Sequence, residues 1–438
     1  MTLKYFGTDG IRGQAYAPPL TLEETTRWGA AWGQVARNQG IRELVVGWDP
    51  RLSSEPLWGA FRQGLGGGLA LRVLGLAPTP AVAWTVAEAT AAGRSSWGLM
   101  ISASHNPPDD NGLKGFNGAG EKLSEAEERA IEAAFEAGAA AAPGGPVDQA
   151  ESLDPYLAHL GGLDLPADLP VVVDCAHGAT ALAARHLLRG AGLHWLAADP
   201  DGARINVGVG STHLEGLKAE VTARGAAFGI AFDGDGDRCL MVDGAGQELD
   251  GDQMLWLLVQ DRLAAGDPPP GAVGTVMTNG GLEAALEAAG VPFVRTPVGD
   301  KFLLRELAAR GWDLAAEASG HLIQKRICPS GDGLATAIAV LSALLRRPAA
   351  RRLDWTFRPW PQRLVNVVAR ERRSLEAMPA LQGAMSEVTA RHGSRARQVI
   401  RWSGTEPKLR LMVEAPEQAL VDEALALLET AARQDLGG

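Results

Sequence analysis

Three times in this chain a short apolar run stops at a loop crowded with polar side chains. The run 97–101 leads into Ser102-Ala103-Ser104-His105-Asn106-Pro107, and the run 227–232 into Asp233-Gly234-Asp235-Gly236-Asp237-Arg238. The run 312–316 leads into Glu317-Ala318-Ser319-Gly320-His321. Apolar runs this short, bounded by turn residues, read as buried strands. Reactive and binding side chains concentrate on loops held at the ends of such rigid elements. A fold for this chain must therefore carry several strand ends and bring them to one place.

The intervening segments are helical. Thr21-Leu22-Glu23-Glu24 has capping-box spacing and opens a helix to about residue 39. Strands are expected at 44–47 and 69–74, helices at 54–65 and 80–90, and a helix capped by Ser124 follows. Strands alternating with helices predict α/β layers with mixed, mostly parallel sheets. The alanine-, glycine- and proline-rich stretch 139–146 reads as a linker or loose edge. The expected division is 1–151, 152–251 and 252–362, three related α/β domains, and then 363–438, a smaller α+β domain. The third closes with a helix over 334–345. In the fourth, a loop at 401–410 precedes a strand over 409–413 and a helix reaching 429. No internal repeat is visible by eye.

Each loop has its own chemistry. Residues 106–112 are turn-formers throughout, so Ser104 is expected on a rigid loop that excludes regular structure, with His105 beside it and Lys114 further on. That arrangement suits a nucleophile or phosphate carrier. Three aspartates at alternate positions, with glycines between them, converge and repel unless a cation intervenes. A hard divalent ion such as Mg²⁺, which often completes its shell with phosphate, answers that repulsion. A calcium EF-hand loop needs Gly at its sixth position and Glu at its twelfth, where this chain has Arg238 and Gly244. Glu317 and Ser319 can hydrogen-bond vicinal hydroxyls, and His321 can meet an anion. Arg401-Trp402-Ser403-Gly404-Thr405-Glu406-Pro407-Lys408-Leu409-Arg410 sets two arginines around a hydroxyl-bearing turn, a pattern suited to phosphate.

Taken together, the four loops resemble those of the alpha-D-phosphohexomutase superfamily, and the resemblance runs from Lys4-Tyr5-Phe6-Gly7-Thr8-Asp9-Gly10-Ile11-Arg12-Gly13 to the 401–410 loop. Finer marks point to its bacterial glucosamine-phosphate branch: the opening motif, Ser-Ala-Ser-His-Asn-Pro, Asn206 with Gly210-Ser211-Thr212, and Val298-Gly299-Asp300-Lys301. Three positions depart from the pattern: Lys301 stands where Arg is expected, Ala316 where Gly is common, and His177 where Asn is common. The resemblance implies four domains around a central cleft, a phosphorylated Ser104, and one Mg²⁺ held by Asp233, Asp235, Asp237 and Ser104. Arg12 and Arg238 are implied against the phosphoserine, with Lys114, ahead of His105, moving protons. Glu317, Ser319 and His321 would hold the sugar, and Arg401, Ser403, Gly404, Thr405 and Arg410 its standing phosphate. Lys301 is a further substrate contact. The implied reaction exchanges glucosamine 6-phosphate and glucosamine 1-phosphate through a bisphosphorylated sugar that also primes the serine, and it feeds cell-wall precursors. Phosphomannomutase or phosphoglucomutase chemistry, a phosphatase using Asp233 as nucleophile, and an inactive sugar-phosphate-binding regulator are the alternatives.

Composition narrows the partners. A net charge of −11 over 438 residues, with no basic run, excludes a nucleic-acid binder and leaves anion capture to local arginines and lysines. Cys175, Cys239 and Cys328 are too few and too scattered for a disulfide framework or zinc site. No apolar stretch approaches ~18 residues and no signal-peptide core precedes the first motif, so a soluble, cytoplasmic monomer or homodimer without a membrane partner is expected.

Overall fold

The computed structural model describes residues 3–347, 356–403 and 407–437. Besides a two-stranded pair, Leu163–Asp164 with Leu188–Arg189, four larger sheets organise them. The first has seven strands, the next two have five and four, and the last has three. In the first, Glu43–Trp48 lies parallel to both Ala70–Leu76 and Ser96–Ile101. Helices Ser54–Leu65 and Thr79–Ala91 make the crossovers that parallel neighbours require. The second and third sheets follow the same plan, with parallel strands continued by antiparallel ones at one side. The last sheet is wholly antiparallel and carries helices Pro379–His392 and Gln418–Leu436. The architecture is α/β, with three such units and a smaller α+β unit.

A repeat that the sequence conceals is plain in the topology. Ser96–Ile101 returns antiparallel as Asp110–Phe116, Phe228–Phe232 as Cys239–Asp243, and Leu314–Ala316 as Leu322–Gln324. Each of the three polar loops is the turn of such a hairpin, made where a sheet passes from parallel to antiparallel. The Ser104 loop is shorter than the run of turn-forming residues suggests. Asp110, Asn111 and Gly112 are already in a strand that also pairs with Gly10–Gln14. Burial explains this correction: Asn111 is wholly buried, and its amide donates to Ser53 and Ser54, so tertiary contacts override its turn propensity.

Local signals fared well elsewhere. Thr21 caps helix Leu22–Asn38 by accepting from the Glu24 amide, and its hydroxyl, not its amide, meets the Glu24 carboxylate. Ser124 and Glu127 form a full capping box on Glu125–Glu136. The stretch after that helix contributes Val147–Ala150, an edge strand beside Ala70–Leu76. Tryptophans fill the first core: Trp28 stacks on Phe135 with centroids 3.6 Å apart, and Trp32 meets Phe61 edge-on. The second and third units share one continuous core, running from Val171 and Phe232 through Leu257 to Leu341. The last unit has its own, around Leu411, Val421 and Leu428. Among the described residues no helix is long and apolar enough to cross a membrane.

Candidate active site

Backbone hydrogen bonds stitch the three units together around these turns. Thr79 N–H donates to Asp235 O at 2.8 Å, Cys239 N–H to Gly320 O at 3.0 Å, and Gly333 N–H to Gly236 O at 2.9 Å. The first-unit serine thereby meets the second-unit aspartates. Ser104 Oγ donates to Asp233 Oδ2 at 2.6 Å and lies 3.3 Å from His105 Nδ1. Ser104 has φ of 55°, the left-handed region, and is 1% exposed.

Asp233, Asp235 and Asp237 each offer a carboxylate oxygen, and these oxygens lie within 4.8 Å of one another. Gly236, with φ of 75°, makes the turn that brings the last one back. All three are buried, and their charges conflict. Burial, then the charges of Asp237 and Asp235, push Asp233 well above the usual carboxylate range. Burial raises Asp235 too, but Lys114 and the Thr79 hydroxyl outweigh it and hold that carboxyl low. Burial is likewise overcome at Asp237, by Lys114, His321 and Arg238. Lys114 Nζ lies 2.6 Å from Asp235 and 3.1 Å from Asp9, inside the cluster. Asp235 Oδ1 and Asp237 Oδ1 are buried without a hydrogen-bond partner. Buried, unpartnered carboxylate oxygens on a tight loop fit a hard divalent cation, which would supply the missing positive charge.

Above this junction opens a cavity of about 550 Å³ lined by all four units. Arg12, His105, Arg238, Glu317, His321 and Arg401 all reach it. Ser104, Lys114, Asp233 and Asp235 lie beneath its floor. Arg12 is ion-paired to Asp9, and Arg238 lies 3.8 Å from Asp237 Oδ1 of its own loop. Burial, then Arg238 and Arg12, pull His105 down to about 4, so it is neutral at physiological pH. His321 stands between Asp237 and Asp300, at 3.7 and 3.8 Å. Burial lowers it, but these carboxylates prevail and raise its pKa. Glu317 Oε1 accepts from Gly299 N–H at 2.9 Å, and the exposed Ser319 hydroxyl lies 3.5 Å from Glu317 Oε2.

At the far side Arg401 and Arg410 face each other across an antiparallel ladder. Burial, then the Arg410 charge, lowers the Arg401 pKa, as expected of like charges that an anion would relieve. Arg410 Nη2 reaches Ser403 Oγ at 3.3 Å. Gly404 and Thr405 lie outside the described residues. Lys301 does not line the cavity: its Nζ sits 5.6 Å over the Phe302 ring. His177 has φ of 52°, a conformation Asn adopts readily, and its Nδ1 donates to Asp199 O at 2.9 Å.

The sequence matches the four domains described for phosphoglucomutase/phosphomannomutase, in order: domain I over 3–142, II over 154–246, III over 250–356 and the C-terminal domain over 364–429. The chain belongs to this family. Among curated members it is 42% identical to the phosphoglucosamine mutase of Bordetella pertussis, covering 95% of this chain and 96% of that one. It is 40% identical to that of Chromohalobacter salexigens, covering 96% of each. A solved family protein from Burkholderia thailandensis shares the fold with a TM-score of 0.82 at 24% identity, covering 99% and 98% of the two chains. An Aspergillus fumigatus N-acetylphosphoglucosamine mutase, solved with GlcNAc-6P and magnesium, superposes with a TM-score of 0.62 at 17% identity, covering 99% and 96%.

Sequence reasoning passed over Asp9, Lys122 and Asp300, which tie the first and third units of this phosphohexomutase together. Lys122 Nζ pairs with Asp9 and with Asp300 Oδ2, the latter at 2.6 Å. Asp9 and Asp300 sit inside motifs that were recognised, but side chains that pair across units have no spacing in sequence.

Proposed function

We propose that the chain interconverts glucosamine 6-phosphate and glucosamine 1-phosphate by relaying phosphate through Ser104, supplying a cell-wall precursor. The observation that carries this is the Ser104 hydroxyl, 2.6 Å from Asp233 and directly beneath a cavity edged with arginines. The curated relatives are named for this activity, and no principal group of the expected machinery is replaced by an incompetent residue.

In this reading Ser104 carries a phosphoryl group. Arg12 and Arg238 face its oxygens from the cavity floor, and Arg401, Ser403 and Arg410, with Gly404 and Thr405, hold the phosphate already on the sugar. Glu317, Ser319 and His321 orient the ring. The free sugar hydroxyl attacks phosphorus, the bond to Ser104 Oγ breaks, and a bisphosphorylated sugar forms. Lys114 or His105 takes the hydroxyl proton and Ser104 Oγ receives one. The sugar turns over, and Ser104 Oγ attacks its other phosphate, leaving the isomer. Mg²⁺ held by Asp233, Asp235, Asp237 and the phosphoserine would neutralise charge on the transferring group. Asp233 accepts the Ser104 hydroxyl and belongs to the carboxylate cluster, which favours a metal-holding role for it over that of nucleophile.

The test compares kcat/KM for the amino sugar phosphate with those for glucose and mannose phosphates, alongside a peptide map around Ser104. Preference for a neutral sugar would move the chain to a phosphoglucomutase or phosphomannomutase activity. Absence of phosphate on Ser104 in turning-over enzyme would end the relay.

A further inference from the structure

The Ser104 backbone is gripped from both ends by side chains that take no part in the relay. Its N–H donates to Ser102 Oγ at 2.8 Å, and Ser102 in turn donates to Asp49 Oδ2 at 2.5 Å. Its carbonyl accepts from Arg51 Nη2 at 2.9 Å and from Asn206 Nδ2 at 2.8 Å. The same two groups also reach Asn106 O, at 2.8 and 3.0 Å. Arg51 Nη1 serves Pro107 O and, at 2.9 Å, Asp110 O, while its Nε meets Asp49 at 2.9 Å. A guanidinium has five N–H groups, and each has a partner here. Asp49 is wholly buried and Arg51 is 2% exposed, so the pair is a fixed internal strut.

Asn206 adds what Arg51 cannot. It belongs to the sheet system that carries the aspartates, and its own N–H is bound to Ala176 O at 3.0 Å. Gly234, between the first two aspartates, packs against the same point: a Cβ there would lie 2.7 Å from both Asn206 Nδ2 and Ser104 O. The serine carbonyl is thus fixed from its own unit by Arg51 and from the metal-loop unit by Asn206 and Gly234. A left-handed φ at a non-glycine residue persists only when its surroundings over-determine it, and these contacts do so.

We infer that Arg51 and Asn206 are positioning residues for the phosphoryl relay, setting the aim of Ser104 Oγ at the aspartate loop across the boundary between two units. The inference rests on the relay proposed above. A clamp on the nucleophile acts on transfer and not on the grip of the sugar phosphate. Misplacement of a reacting group by about 1 Å costs on the order of 10²-fold in rate.

The test uses the full-length enzyme stripped of phosphate, then given a bisphosphorylated hexose with Mg²⁺, with Ser104 phosphorylation followed by intact mass. Asn206→Ala, which removes one uncharged donor and leaves the Asp49–Arg51 pair intact, is expected to slow phosphorylation and kcat by roughly ten- to a hundredfold. KM should hardly move, and circular dichroism and the melting midpoint should show a folded chain. Arg51→Lys keeps the charge beside Asp49 but cannot span four carbonyls, and its kcat is expected to fall further. If Arg51→Lys does not fold, Asn206→Ala decides alone. Phosphorylation of Asn206→Ala at the parental rate overturns the inference, as does a kcat loss matched by an equal loss of folded protein or by a parallel rise in KM. Failure of the unsubstituted chain to take phosphate at Ser104 removes the relay itself, a distinguishable result.

Discussion

The Ser104 turn and the 401–410 turn are both proposed to hold phosphate, yet they are held in opposite ways. Ser104 is buried, its backbone fixed at both ends and its hydroxyl donated to Asp233. The hydroxyl's acceptor, Asp233, directly follows Phe232 of the core that the second and third units share. Arg401, which lines the cavity, and Arg410 stand opposite each other on neighbouring strands as two like charges, on a unit whose core is its own. The difference separates two tasks. A group that transfers phosphate needs fixed aim, and burial against countercharges provides it. A group that grips a phosphate at either end of a turning sugar needs charge and freedom of approach.

The largest expected effect breaks the relay outright. Ser104→Ala removes the carrier oxygen from a loop whose backbone contacts are untouched, so turnover should fall by roughly 10³-fold or more while the fold survives. Turnover assays paired with circular dichroism check it. Near-parental activity would mean that the buried turn is structural and the comparison misconceived.

Next comes the carboxylate cluster. Asp233→Asn should cost roughly 10²-fold or more in kcat with little change in KM, because its task falls on the moving charge. Chelation should abolish activity and added Mg²⁺ restore it. A metal-free preparation that turns over fully would show that Lys114 alone neutralises the cluster.

The Arg401–Arg410 pair should answer differently. Arg410→Ala loses a charge-assisted contact worth about 1.5–3 kcal/mol, so KM should rise roughly ten- to a hundredfold, with kcat much less affected. The rise should be similar for amino and neutral sugar phosphates, since the group sees phosphate only. A change in the ranking of sugars would show that this turn reads the ring, and the division between aim and grip would fail.

Much of this contrast could be read from the sequence, for a physical reason. A strand ending in glycine-spaced aspartates, or in Ser-His-Asn-Pro, is local information, and the hairpin turns form where those residues say. The early start of strand Asp110–Phe116 was hidden because the buried amide bonds of Asn111 override its local preference. Arg51 was hidden too, though Asp49-Pro50-Arg51 follows the apolar strand Glu43–Trp48 just as the other loops follow theirs. Applied evenly, the rule that exposed the three loops would have flagged it. Nothing local foretells that Lys122 meets Asp300, or that Asn206 meets the Ser104 carbonyl. These are pairings made by the packing of units.

The smallest effect tests whether the shared core underlies the rigidity of the buried turn. Asp332 caps helix Gly333–Leu345 through the Ala335 N–H and accepts from the Tyr156 hydroxyl of the second unit at 2.9 Å. Burial lifts its pKa to about 6, against the opposing pull of those hydrogen bonds. The folded chain therefore holds a proton there between about pH 4 and 6 that the unfolded chain has released. More protons bound in the folded state mean that this contribution is complete below about pH 4 and lost as pH rises through 6. The distance between about 4 and about 6 sets a ceiling of ~3 kcal/mol. Asp332→Asn cannot titrate, and its amide oxygen can still cap Ala335. Its stability should consequently decline less than the parent's between pH 4 and 7, a difference of a few degrees in melting midpoint. Hydrogen exchange should place the pH dependence in Gly333–Leu345 and leave Gln418–Leu436 of the last unit unmoved. Equal pH slopes in parent and variant would mean that Asp332 stays charged in the folded chain. A matching change in Gln418–Leu436 would mean that the four units melt as one, and that the separate core of the last unit gives it no independence.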